Sequence, residues 1–156
     1  MKLAELAVIK AALEGLGKQK LPIWYEIAKN LKAVNKVLND ANEVRQDLWN
    51  KYADKVEGTE EVKEYMGEPG TPEAGKPYTK ITDKDDLKEC MAQMKKMDED
   101  DSYEVKFHRI LASRVSAKDL EGVYAEPLID VIFVETEAEL KAVAPPKAEA
   151  PKAEAA

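Results

Sequence analysis

The chain has 156 residues, 44% of them hydrophobic but only 6% aromatic, enough for one domain with a modest, aliphatic core. Its formal net charge of −7 repels phosphate backbones and anionic membrane surfaces unless the basic residues are segregated, so nucleic acid is a disfavoured partner. A single cysteine, Cys90, excludes an internal disulfide, and no apolar run approaches the roughly 20 residues that span a bilayer, which excludes a membrane partner.

The first predicted element is a helix over about Lys2 to Leu16, with Leu3, Leu6, Ile9, Leu13 and Leu16 on one track and Gly17 as its left-handed stop. Glu5 and Lys10 interrupt that track, so it is not a signal-peptide core, and the expected location is the cytoplasm. A short connection, Lys18 to Leu21, leads through Pro22 into a long second helix, Ile23 to about Tyr52. Trp24, Ile27, Leu31, Val34, Leu38, Ala41, Leu48 and Tyr52 form its apolar stripe, broken by Arg45. A short helix, a short loop and a long helix predict an antiparallel hairpin in which the first helix covers only half of the second.

Gly58 to Lys80 contains Gly67, Pro69, Gly70, Pro72, Gly75 and Pro77, and is read as a flexible loop without regular elements. A third helix follows, with Leu87, Cys90, Met91, Met94 and Met97 on one face, Thr82 or Asp83 as cap, and Asp85 and Asp86 at its positive end. Cys90 reads as a small buried hydrophobe. Tyr103, Val105 and Phe107 alternate with Glu104, Lys106 and His108, the period of a half-buried strand that extends to Leu111. Ser116 to Leu120 reads as a single turn ended by Gly122. Leu128 to Val134 is β-rich, although Pro127 would also open a short helix; the expectation is a strand antiparallel to Tyr103–Leu111. From Lys141 the sequence Pro-Lys-Ala-Glu-Ala repeats, which predicts a disordered tail over 141–156 beyond a single domain, 1–140. The expected fold class is thus mainly helical α+β: an N-terminal helical hairpin, a third helix and a small C-terminal antiparallel β element.

No motif for catalysis, a cofactor or a metal is present. The acidic runs Asp83–Asp86 and Asp98–Asp101 lack the spacing of a calcium loop and suit helix ends and a solvated turn. His108 has no triad or zinc partners and reads as a surface residue. Lys29, Lys32 and Lys36 share a face of the second helix but have no aromatic interleaved there to stack bases, so they read as its wet side. The large side chains Trp24, Tyr25, Trp49 and Tyr52 read as core anchors or interface residues. Because the first helix is short, Val44, Leu48, Trp49 and Tyr52 are the candidate partner interface, facing another protein or a second copy in a homodimer.

The run Leu-Pro-Ile-Trp-Tyr-Glu-Ile-Ala-Lys-Asn (21–30), followed by Ala41-Asn42-Glu43-Val44-Arg45-Gln46-Asp47-Leu48, resembles a family of short tailed-phage and prophage proteins of Gram-positive hosts, known mainly as a domain of unknown function. The resemblance covers about residues 1–55 and returns faintly at Tyr103–Leu120. It implies a phage or prophage origin, in the host cytoplasm or on the virion, and supplies no catalytic residue. The expected function is non-enzymatic protein binding, to a host factor, a defence component or an assembly partner; the alternative is a structural or assembly accessory of the virion.

Overall fold

The computed structural model describes residues 1–115 and 122–135. Its helices are α1 (Leu3–Lys18), α2 (Trp24–Tyr52), α3 (Lys84–Glu99) and the single turn α4 (Gly122–Ala125). Four two-residue strands, β1 (Tyr65–Met66), β2 (Pro77–Tyr78), β3 (Ile110–Leu111) and β4 (Phe133–Val134), form two separate pairs, so the fold is mainly helical α+β. The tail from Lys141 and the turn expected over Ser116–Leu120 lie outside the described residues, and Gly122 opens α4 rather than ending that turn.

Local chemistry accounts for the helix ends. The Lys2 N–H donates to Glu5 at 2.8 Å, a carboxylate reaching back over the open N-terminal turn of α1. At the other end the helix runs through Gly17 to Lys18 without a left-handed residue, so the expected glycine stop is absent. The connector tightens through the Trp24 N–H donating to the Leu21 carbonyl at 3.2 Å. Asp83 caps α3 by accepting from the backbone N–H groups of Asp85 and Asp86, as anticipated.

The described residues divide into two compact units, residues 1–8 with 34–105, and residues 9–33 with 106–115 and 122–135. In the first, Leu3, Leu6, Val34, Ala41, Ala53, Ile81 and Cys90 are buried. Arg45 pairs with Asp98 and Tyr52 with Gln93, so numbers rise along α2 as they fall along α3 and the two helices are antiparallel. Of the five residues expected on the apolar face of α3, Cys90 is buried, Met94 and Met97 are half-buried, and Leu87 and Met91 are exposed.

The glycine- and proline-rich segment is built rather than featureless. β1 and β2 pair antiparallel, Tyr65 opposite Tyr78, and a separate parallel bridge joins Gly67 to Ala74. A Cβ at Gly67 would overlap the Glu73 carbonyl, so only glycine lets the two backbones approach this closely.

In the second unit the buried residues include Ile9, Leu13, Leu16, Ile23, Ile27, Ile110, Leu128 and Ile132–Val134. The expected strand pairing is corrected here: β3 and β4 are parallel, Ile110 opposite Phe133 and Leu111 opposite Val134. Pro127 lies in a 3₁₀ turn over Glu126–Leu128, and Asp130 at φ 63° then folds the chain back, leaving only two residues extended beside β3. Tyr103 to Arg109 keeps the alternating burial of a strand but has no strand partner among the described residues; the carboxamide of Asn30 serves His108 instead.

Candidate partner interface

The distal half of α2 meets α3 through Tyr52 and Gln93, and meets the segment after α2 through Trp49 and Thr79. After Tyr52 the chain turns at Asp54, whose carboxylate collects three donors: the Tyr65 hydroxyl at 2.7 Å, the Thr82 N–H at 2.8 Å and the Thr82 hydroxyl. These bonds, the Thr82 hydroxyl foremost, hold the Asp54 carboxyl down to about 2, and the Asp54 charge pushes the Tyr65 phenol up. Asp54 also exchanges backbone bonds, its N–H donating to Lys80 and its carbonyl accepting from Lys63. The residue is the tie that folds 55–82 against the end of α2.

That fold supplies a partner for Trp49, and α3 supplies one for Tyr52. The Trp49 indole donates to the Thr79 hydroxyl at 2.9 Å. The Tyr52 hydroxyl accepts from Gln93 at 2.8 Å, and desolvation, with Glu89 nearby, raises its phenol above the usual range. Leu48, Trp49 and Tyr52 are half-buried, whereas Val44 stays 54% exposed.

The apolar surface left open lies on α3. Met91 is 55% exposed, and with Ala92 and Met94 it lines a groove of about 570 Å³ flanked by Arg45, Lys88, Lys95 and Asp98. The Arg45–Asp98 ion pair orders its charged flank. Methionine floors of this kind adapt to apolar side chains of different shape, because the thioether chain is unbranched and polarisable.

Other candidates resolve simply. Cys90 is fully buried, and burial pushes its thiol up, which keeps it protonated and unreactive. His108 is exposed. Asp100 accepts from the Ser102 N–H at 2.8 Å, which lowers its carboxyl, and Asp98 is occupied by Arg45. Among the described residues no group of three or more His, Cys, Asp or Glu side chains is placed to hold a metal ion.

Two arrangements escaped the sequence reading. Asn30 is 0% exposed and makes a double bond pattern with one backbone residue, donating to the His108 carbonyl at 3.0 Å and accepting from the His108 N–H at 2.7 Å. Its signal was its place three residues after Ile27 and four before Val34, both buried residues of the expected stripe. Trp24, also expected on that stripe, is not buried. One residue further along a helix turns a side chain by about 100°, so a stripe that begins at Ile23 places Trp24 outside, 66% exposed.

No family model, no curated protein and no solved structure matches the chain. Among the described residues no helix is long and apolar enough to cross a membrane.

Proposed function

We propose that this chain is a non-enzymatic binding protein of phage origin, which acts by receiving an apolar segment of another protein in the groove beside α3. The observation that carries the reading is the exposure of Met91 at 55% on a helix whose opposite side is packed, with Ala92 and Met94 continuing the same floor. A solvent-facing helix gains nothing from methionine there, whereas an apolar floor with a charged rim is the anatomy of a protein contact. The phage assignment rests on the resemblance of residues 1–55, and the partner is a host factor, a defence component or an assembly protein.

Site-specific photo-cross-linking tests the reading. A photoreactive side chain at position 91, introduced in the cell that expresses the chain, is expected to capture one defined protein, while the same group at the exposed position 96 on α3 captures none. Met91→Glu should abolish the capture of that protein at position 94 and leave the melting temperature unchanged. Capture of a second copy would make the partner the chain itself. Equal labelling from 91 and 96, or no product from 91, would remove the groove as the working surface.

A further inference from the structure

Among the described residues the charge is segregated. Residues 1–8 and 34–105 hold twelve basic and twenty acidic side chains, more than the whole net deficit, whereas the described residues of the other unit hold eight basic and five acidic. All eight of those cations fall within 9–33 and 106–115, where the only acids are Glu14 and Glu26. Both acids are occupied: Glu14 by Lys10 at 3.8 Å, and Glu26 by Arg114, whose hydrogen bond holds the Glu26 carboxyl below its usual range. Lys18, Lys20, Lys29 and Lys32 are left exposed around the start of α2.

The aromatic component that the sequence reading found missing is also there. Trp24 and Tyr25 are 66% and 54% exposed, with ring centroids 5.8 Å apart in an edge-to-face arrangement. Tyr25 lies one turn before Lys29 on the same helix face, and the Lys29 ammonium sits 4.5 Å from its ring centroid. One face of Tyr25 is thus covered by a cation, and the indole of Trp24, 66% exposed, is the more open aromatic surface of the patch. The side chains beneath, Ile23 and Ile27, are buried, so no apolar helix face is free to sink into a bilayer.

We propose that Trp24 and Tyr25, with Lys18, Lys20, Lys29 and Lys32, form a site for single-stranded nucleic acid: an unpaired base stacks on the Trp24 indole while the lysines neutralise the flanking phosphates. The physical warrant is the combination. Exposed lysines alone attract any polyanion, but a planar ring among them favours a ligand that carries free π-faces between its charges. A duplex already stacks its bases internally and offers no such face. The patch contains no arginine fork to read base edges, so recognition is tolerant of sequence. This site is separate in sequence from the groove beside α3, and its failure would leave the protein-binding reading untouched.

The test is fluorescence anisotropy of a labelled 15-nucleotide oligothymidylate titrated with the full chain at about 50 mM salt, with a 15-base-pair duplex, poly-L-glutamate and phosphatidylserine vesicles as competitors. The oligothymidylate should bind, and only unlabelled single strand should displace it efficiently. Trp24→Ala should weaken binding about 5- to 100-fold, and Trp24→Phe should restore most of the loss. Lys29→Ala and Lys32→Ala should each make the dependence of log affinity on log salt shallower by about 0.7. Lys96→Glu, a larger charge change on α3, should leave binding within about twofold. Far-UV melts of each variant confirm folding, and substitutions at exposed side chains should not shift them. No binding at low salt overturns the proposal. So does binding that Trp24→Ala leaves intact, or displacement by duplex, poly-L-glutamate or vesicles as readily as by single strand, since each would make the patch a surface for polyanions in general.

Discussion

Single polar side chains settle much of this protein's local geometry, and Asn30 is the clearest. An extended segment with no neighbouring strand must still satisfy its backbone, and one carboxamide does this for His108 with both a donor and an acceptor. Asn30→Ala leaves both groups without partners and should cost about 1–3 kcal/mol in urea unfolding, more than its loss of volume alone would suggest. Asp54 acts the same way at the end of α2, through charge. Its folded pKa of about 2 lies below the ordinary aspartate value of 3.8, so its stabilising contribution is complete above about pH 4 and is lost as pH falls towards 2. Thermal melts should therefore place Asp54→Asn below the native chain at pH 7, with the gap closing between about pH 4 and pH 2. A gap that persists unchanged at pH 2 would show that the carboxylate's charge is irrelevant to the tie.

Among the helices, α1 offers a paired comparison. Gly15 and Gly17 are both helical and two residues apart, and on intrinsic propensity alanine should improve each by about 1 kcal/mol. Their surroundings differ. A Cβ at Gly15 would overlap the ring of Tyr124 on α4, whereas at Gly17 the nearest atom, on Ile27, lies at an ordinary 3.9 Å. Gly17→Ala should thus raise stability by about 0.5–1 kcal/mol, while Gly15→Ala should lower it by about 1–3 kcal/mol as the ring is displaced. Chemical denaturation of the two variants checks the sign at each site. Equal gains at both would mean that Tyr124 does not pack on α1.

For the whole molecule the uneven charge matters more than individual ion pairs. The Lys10–Glu14, Glu73–Lys76 and Lys95–Glu99 salt bridges join exposed side chains, and such pairs contribute little, so added salt removes little by screening them. The surplus of acids in 1–8 and 34–105 instead repels itself, and that repulsion is screened within about 10 Å at 0.1 M salt. Raising sodium chloride from about 0.02 M to about 0.5 M should therefore raise the melting temperature. A fall would assign the balance to the ion pairs.

What the sequence determined by itself follows from repeating patterns. The presence and order of α1, α2 and α3, the Asp83 cap, the burial of Cys90 and the mainly helical α+β class rest on spacing and end chemistry, which are local and need no knowledge of distant residues. The candidate interface was half legible: a helix too long for its neighbour announces uncovered apolar residues, yet which ones stay uncovered depends on where the chain returns. Only the tertiary structure decided that 53–82 folds back over Trp49 through Asp54, that Val44 and Met91 stay exposed, and that β3 and β4 run parallel. It also decided which edge of the α2 stripe is covered: Ile27, Val34 and Ala41 of the expected stripe are buried, Asn30 joins them, and Trp24 lies outside. Contacts between residues 30 and 108, or 54 and 82, depend on how the chain closes on itself, and loop closure leaves no period in the sequence to read.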